Sequence, residues 1–193
     1  MPIVKRDCVI EDAWRPLQGR DLTEICPNEN VLLTLAEWRT QGLAAASRFE
    51  RVGIALAPDE AVEDIAAALP NLELVALTFP KFNDGRAFSQ ARLLRERFGF
   101  AGEIRATGHV IRDLFLFLQR SRFDAVAVTD PRDLTPWLAA RRRYTGYYQP
   151  ALDGEPAEEV YPAEHTAGPT AGAGRTERVA QPTGDSVAAL WAY

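Results

Sequence analysis

The sequence predicts an α/β fold: a short parallel sheet of repeated βα units, open or half-barrel-like, with a disordered C-terminal tail. Three observations carry that expectation. Apolar runs of strand length recur at residues 52–57, 72–79, 103–107 and 123–129. Segments with helix signals lie between them. Beyond about Pro150 the chain turns to Ala, Gly, Pro, Thr and Glu and loses any periodic apolar face. Strand–helix–strand repetition implies parallel pairing with right-handed crossovers. About four or five such units are too few to close an eight-stranded barrel.

Taken in order, residues 1–28 read as a short polar strand pair and loop, with Trp14 and Leu17 packing on the main body. Thr34 and Glu37 have the T-x-x-E spacing of a capping box, in which each side chain satisfies a backbone N–H that the helix cannot pair. A helix is expected over 35–49, burying Leu35, Trp38, Leu43 and Ala46. VGIALA (52–57) has the continuous apolar character of a buried strand. Asp59 caps a helix over 60–69, and LELVALTF (72–79) is the second strand. PKFNDG supplies turn residues, and a helix follows over 86–98, punctuated by Gly99 and Gly102. Residues 103–107 are the third strand. Val110, Ile111, Leu114, Phe115 and Leu118 repeat at the spacing of an amphipathic helix. FDAVAVT (123–129) is the fourth strand. Asp130 caps a last helix with Pro131 at its first position, where no N–H is missed, and that helix ends near Arg143. The α/β domain is thus 1–149. In 150–193 little offsets the entropy of ordering, and the apolar end, SVAALWAY, reads as frayed or loosely packed, or as a docking peptide.

Composition narrows the function. No apolar run is long enough to span a bilayer, and the N-terminus lacks a signal peptide's apolar stretch, so a cytoplasmic protein is expected, away from the membrane. Net charge is −5, which argues against nucleic acid as a partner. Two Cys and two His are too few for an iron–sulfur cluster or a structural zinc site. No dinucleotide fingerprint, P-loop or nucleophile elbow occurs. No cofactor and no metal are therefore expected, and no catalytic residue can be named.

The charge is uneven. From Phe79 to Arg122 there are nine Lys/Arg against four acids, a net of +5, leaving −10 for the rest of the chain. Polar residues gather after two consecutive strands: Lys81, Asn83, Asp84 and Arg86 after one, Thr107, His109, Arg112 and Asp113 after the next. Parallel α/β sheets bind ligands at that carboxyl edge. Lys81, Arg86 and Arg105, with Arg112, are the expected holders of an oxyanion or acidic partner surface, and Asp84 and Asp113 orient the guanidinium groups. Gly85 and Gly108 let backbone approach closely. The alternative is architectural: Arg86 paired with Asp113, Asp84 as a helix N-cap, Gly85 in a turn, His109 facing solvent. Arg95, Arg97, Arg120 and Arg122 read as solvated helix faces.

The stretch FPKFNDGRAFSQARLLRERFGFAGEIRATG, followed by HVIRDLFLFLQRSRFDA, resembles a bacterial family of unknown function described as oxidoreductases involved in sulfite reduction. The resemblance covers roughly 31–149. The family is encoded beside the sulfite reductase haemoprotein, which implies a role in assimilating sulfite to sulfide for cysteine biosynthesis. Lys81, Asp84, Gly85, Arg86, Ser89, Arg92, Arg95, Arg105 and Asp113 carry over. His109 stands where the family has an acid, Leu114 where it has Gln, and Ser121-Arg122 where it has Cys-Gly. The chain shows no motif for an electron-carrying cofactor, which such a reduction needs. The resemblance therefore implies an accessory protein that binds sulfite reductase or an oxyanion. The alternative is a small enzyme acting on a sulfur oxyanion or a related anionic metabolite. Limited proteolysis of the full chain is expected to leave a stable core ending near Tyr148 or Gln149; a tail as protease-resistant as the core would end the disordered-tail reading.

Overall fold

Residues 1–5, 8–129 and 134–141 are described by the computed structural model. The apolar runs form strands whose alternate residues face opposite ways. Among the described residues there are eight: β1 (Pro2–Lys5), β2 (Cys8–Glu11), β3 (Trp14–Pro16), β4 (Asn30–Thr34), β5 (Val52–Leu56), β6 (Leu74–Phe79), β7 (Glu103–Gly108) and β8 (Ala125–Ala127). They make one sheet in the order β2-β1-β8-β7-β6-β5-β4-β3, curled as a half-barrel. Every neighbouring pair from β3 to β8 is parallel, as the βα alternation requires. The N-terminal strand pair forms as expected, but β1 then pairs antiparallel with β8. Among the described residues the first strand thus lies beside the last, a non-local pairing that no local pattern encodes.

One face of the sheet is the core. Val31, Leu33, Val52, Ile54, Leu56, Val75, Leu77, Phe79, Ile104, Ala106 and Val126 are all buried there, in one cluster with apolar residues of the helices. The helices are α1 (Leu35–Arg48), α2 (Arg86–Arg92) continued by a π-helical turn at Leu93–Arg97, α3 (Phe115–Arg120) and α4 (Leu134–Arg141). None is long and apolar enough to cross a membrane. The capping box of α1 is present. Thr34 Oγ1 accepts from the Glu37 N–H at 3.3 Å, and Glu37 Oε2 accepts from the Thr34 N–H at 2.8 Å. Burial pushes the Glu37 carboxyl up, but the Thr34 and Gly19 backbone N–H groups outweigh it and hold it below its ordinary value.

The buried face of α1 differs from the expected one. Leu35, Gly42 and Ala45 are buried and Trp38 is half-buried, whereas Leu43 is 87% exposed and Ala46 is also exposed. Leu35, Trp38, Gly42, Ala45 and Phe49 alternate spacings of three and four, the 3.6-residue period, and Leu43 lies one step round the helix. Trp38 folds over Gly42, where a Cβ would meet its ring at 2.6 Å.

The helix expected over 60–69 is also absent. Two 3₁₀ turns, Val62–Ile65 and Leu69–Asn71, take its place, and Glu60 rather than Asp59 accepts a local N–H, that of Ala57 at 2.7 Å. Val62, Ile65 and Ala68 are buried at a spacing of three, which suits three residues per turn. The helix expected from residue 110 begins as a 3₁₀ turn at Arg112–Leu114 and becomes α3 only at Phe115. The Asp130 cap, the Pro131 position, the end near Arg143 and the tail from 150 lie outside the described residues.

The other face of the sheet carries a charge network. Lys5, Ala125 and Arg105 are neighbours across β1, β8 and β7. The small Ala125 leaves room for both cations to reach one carboxylate. Lys5 Nζ lies 2.7 Å from Glu103 Oε2, Arg105 Nη2 2.7 Å from Glu103 Oε1, and Arg105 Nη1 2.8 Å from Asp12 Oδ1. The Arg105 side chain is only 4% exposed. Burial pushes Glu103 up, but the Lys5 hydrogen bond and the Arg105 charge outweigh it and hold it below its ordinary 4.5. Its contribution to stability is therefore present above about pH 4.5 and is lost as pH falls through its lowered folded value. Arg105→Leu leaves two acids short of a partner, and unfolding in urea at pH 7 is expected to show a loss of roughly 3–5 kcal/mol. The acid-side fall in stability should also shrink in that variant. An unchanged urea midpoint would show that the network does not hold the hairpin.

Candidate functional site at the carboxyl edge of the sheet

The site is built on the end of the β6–β7 ladder. Six rungs run from Leu74↔Glu103 to Phe79↔Gly108, so both strands end level. Gly108 has φ +86°, and a Cβ on it would lie 2.4 Å from the Phe79 carbonyl oxygen. Only glycine tolerates both conditions. The His109 N–H donates to that same carbonyl at 2.7 Å. The turn carries residues 109–113 to the edge. There they line a cleft of about 840 Å³, together with Gly108, Val128, Thr129 and Trp137. Val128 and Trp137 are buried, Val110 and Ile111 half-buried, and His109, Arg112, Asp113 and Thr129 exposed. Trp137 is fixed edge-on to Phe115, ring centroids 5.4 Å apart.

The residues expected at the site fall into three places. Arg112 and Asp113 line the cleft. Arg112 Nε is 3.9 Å from Asp113 Oδ1, with the side chains 51% and 77% exposed, so the guanidinium keeps most of its donors open to solvent. Lys81, Asp84 and Arg86 follow β6, outside the cleft lining. Lys81 is exposed. Arg86 grips Asp84 with both arms, Nε–Oδ1 at 3.0 Å and Nη2–Oδ2 at 2.7 Å, and its backbone N–H donates to Oδ1 at 3.2 Å. The Arg86–Asp113 pair of the architectural alternative is thus replaced by a local one. Gly85, not Asp84, is the N-cap of α2, and its φ of −86° is ordinary. Arg105 does not reach the edge at all. It is the third residue of β7 and is spent on Glu103 and Asp12.

His109 is exposed, and its ring lies 6.3 Å from that of Phe82, itself 52% exposed. The two loops therefore meet through an aromatic pair. Val128, Thr129 and Trp137 were not singled out from the sequence. Val128 and Thr129 follow β8 at the same carboxyl edge, so the rule that picked out 107–113 applies to them too; Trp137 reaches the cleft only through tertiary packing. Arg95 departs from its expected solvated position. Its side chain is 10% exposed and donates to the carbonyls of Phe100, Gly102 and Arg122 and to Asp124. Among the described residues, no group of three or more His, Cys, Asp or Glu is placed to hold a metal.

A family model described as "Bacterial protein of unknown function (DUF934)" matches residues 53–158, more than half of the chain. No curated protein matches it.

The turn after β6 yields a direct test. The Arg86 side-chain and backbone donors, with the Lys81 charge, hold the Asp84 carboxyl at about 2. In Arg86→Ala its NMR titration midpoint should rise toward the ordinary 3.8. A midpoint that stays near 2 would show that Arg86 is not its partner and stands free for a ligand.

Proposed function

We infer that this chain, which belongs to that bacterial family of unknown function, is an accessory protein of assimilatory sulfite reduction. It binds an oxyanion, or an acidic surface of the sulfite reductase haemoprotein, at the carboxyl edge of its sheet. One observation carries the site: Arg112, half-exposed and only loosely held by Asp113, opens onto the cleft. A planar guanidinium pairs two oxygens at once, which suits an oxyanion or a carboxylate. Lys81, on the neighbouring turn, adds positive potential. The pathway rests on the sequence resemblance carried by residues 79–125, an associational warrant. The rival reading, a small enzyme, draws on His109 and Asp113 at the same cleft.

The experiment is genetic and biochemical together. A deletion strain should grow on sulfide or cysteine but poorly on sulfate or sulfite. Complementation with Arg112→Glu or Lys81→Glu should fail, while circular dichroism shows both variants folded and pull-down of sulfite reductase is lost. Normal growth of the deletion strain on sulfite would dismiss the pathway. Folded variants with full activity would dismiss the site. Flavin or sirohaem absorbance in the purified protein would favour the enzyme.

A further inference from the structure

We propose that the cleft takes an organic anion, a carboxylate, sulfonate or phosphate carried on a compact apolar or aromatic body, in preference to a bare inorganic oxyanion. The inference rests on the reading of this cleft as an anion site and names the class of its occupant. Size is the first ground. An oxyanion of four heavy atoms fills about the space of two waters, ~60 Å³ at ~30 Å³ each. The cleft holds about 840 Å³, within the range of sites that bind drug-sized molecules.

Wall chemistry is the second ground. Val110, Ile111, Val128 and Trp137 supply apolar surface. A hydrated oxyanion gains nothing from such walls and loses water against them. An apolar body gains free energy in proportion to the area it covers. Arg112, His109 and Thr129 supply polar groups at the same cleft, and Arg112 is the cation among them with donors to give. A second cavity, lined by Arg95, Phe100, Arg122 and Asp124, is smaller at about 330 Å³, and there Arg95 already serves four acceptors.

Isothermal calorimetry on the full chain tests this with sulfite, methanesulfonate, cyclohexanesulfonate and naphthalene-2-sulfonate, and with neutral 2-naphthalenemethanol. Affinity should rise about 30-fold or more from methanesulfonate to naphthalene-2-sulfonate, at about fourfold per buried methylene equivalent. The neutral analogue should bind at least about tenfold more weakly than the sulfonate, and Arg112→Gln should weaken the sulfonate by about tenfold or more. Cyclohexanesulfonate should change the tryptophan fluorescence of the native chain, and Trp137→Phe, which keeps an aromatic ring against Phe115, should remove that change. Sulfite binding as tightly as the aryl sulfonate, with equal dependence on Arg112, would overturn the organic-anion assignment and leave the oxyanion reading standing. Equal affinity for the neutral analogue, or binding indifferent to both substitutions, would overturn it as well. If none of the anions binds, both the organic-anion and the oxyanion assignments fail, and only the docking of sulfite reductase is left.

Discussion

The six-rung ladder between β6 and β7 is the constraint on which the rest of the carboxyl edge depends. Register in a parallel pair is indifferent to where the strands stop, yet here both stop on one rung, Phe79↔Gly108. The Phe79 carbonyl leaves no room for a Cβ at 108 and accepts the His109 N–H. The chain must therefore leave β7 in a left-handed conformation, and the direction of residues 109–113 follows from it. The cleft is a consequence of strand pairing that ends on a glycine, with no special loop required.

A second constraint acts at the opposite end of the chain. β1 sits between β2 and β8, so the parallel strands end at this side of the sheet in an antiparallel hairpin, while β3 is the edge at the other side. Ile3 packs with Ala125 and Ala127 in a small cluster away from the main core, and Val4, on the other face of β1, is buried in the main core. To this packing the Lys5–Glu103–Arg105–Asp12 network adds charged contacts between the hairpin and β7. A buried ionic network is a weak source of net stability compared with apolar packing, but removing one member is costly, because the other charges are left without compensation. The contacts that cross to the hairpin are those of Lys5 with Glu103 and of Asp12 with Arg105, and both depend on where β1 and the residues after β2 lie against β7.

Much of the fold was legible in the residues, and the exceptions have physical causes. The capping box located the start of α1 because its signal is local and stoichiometric, two side chains for two N–H groups. The βα alternation predicted parallel order because a crossover connection permits little else. The phase of α1 was misread because size ranks residues by apolarity, and Leu43 outranks Gly42; yet the helix needs a small residue where Trp38 folds over it. The helix over 60–69 was misread because alanine-rich composition favours α-helix, while the burial of Val62, Ile65 and Ala68 at intervals of three favours 3₁₀ turns. The placement of β1 beside β8 and of Trp137 beside residues 108–113 is non-local, and neither leaves a trace in any window of sequence. At the site, the edge itself was legible from where polar residues follow strands. Which cations remain open was not, because that depends on which acid each one meets in space.

That last point decides how the basic middle of the chain is understood. Nine cations against four acids suggest one positive patch, but the fold distributes them by partner. Arg95 ties together the loops beyond α2 and α3, Arg105 anchors the hairpin, Arg86 closes its own turn on Asp84, and Arg92 and Arg97 pair with Glu96 and Glu63 on the surface. Exposed pairs of that last kind are worth little and exchange readily with water, so they neither hold the fold nor define a site. Arg112 differs from them in its surroundings. Its acid is too distant for a close hydrogen bond, and its guanidinium opens on a cleft with apolar walls, where the local dielectric is lower than at an open surface and a charge interaction correspondingly stronger. A cation acquires a binding role from the surface around it and from the acid it lacks, and on this edge those two conditions meet after β7, not after β6.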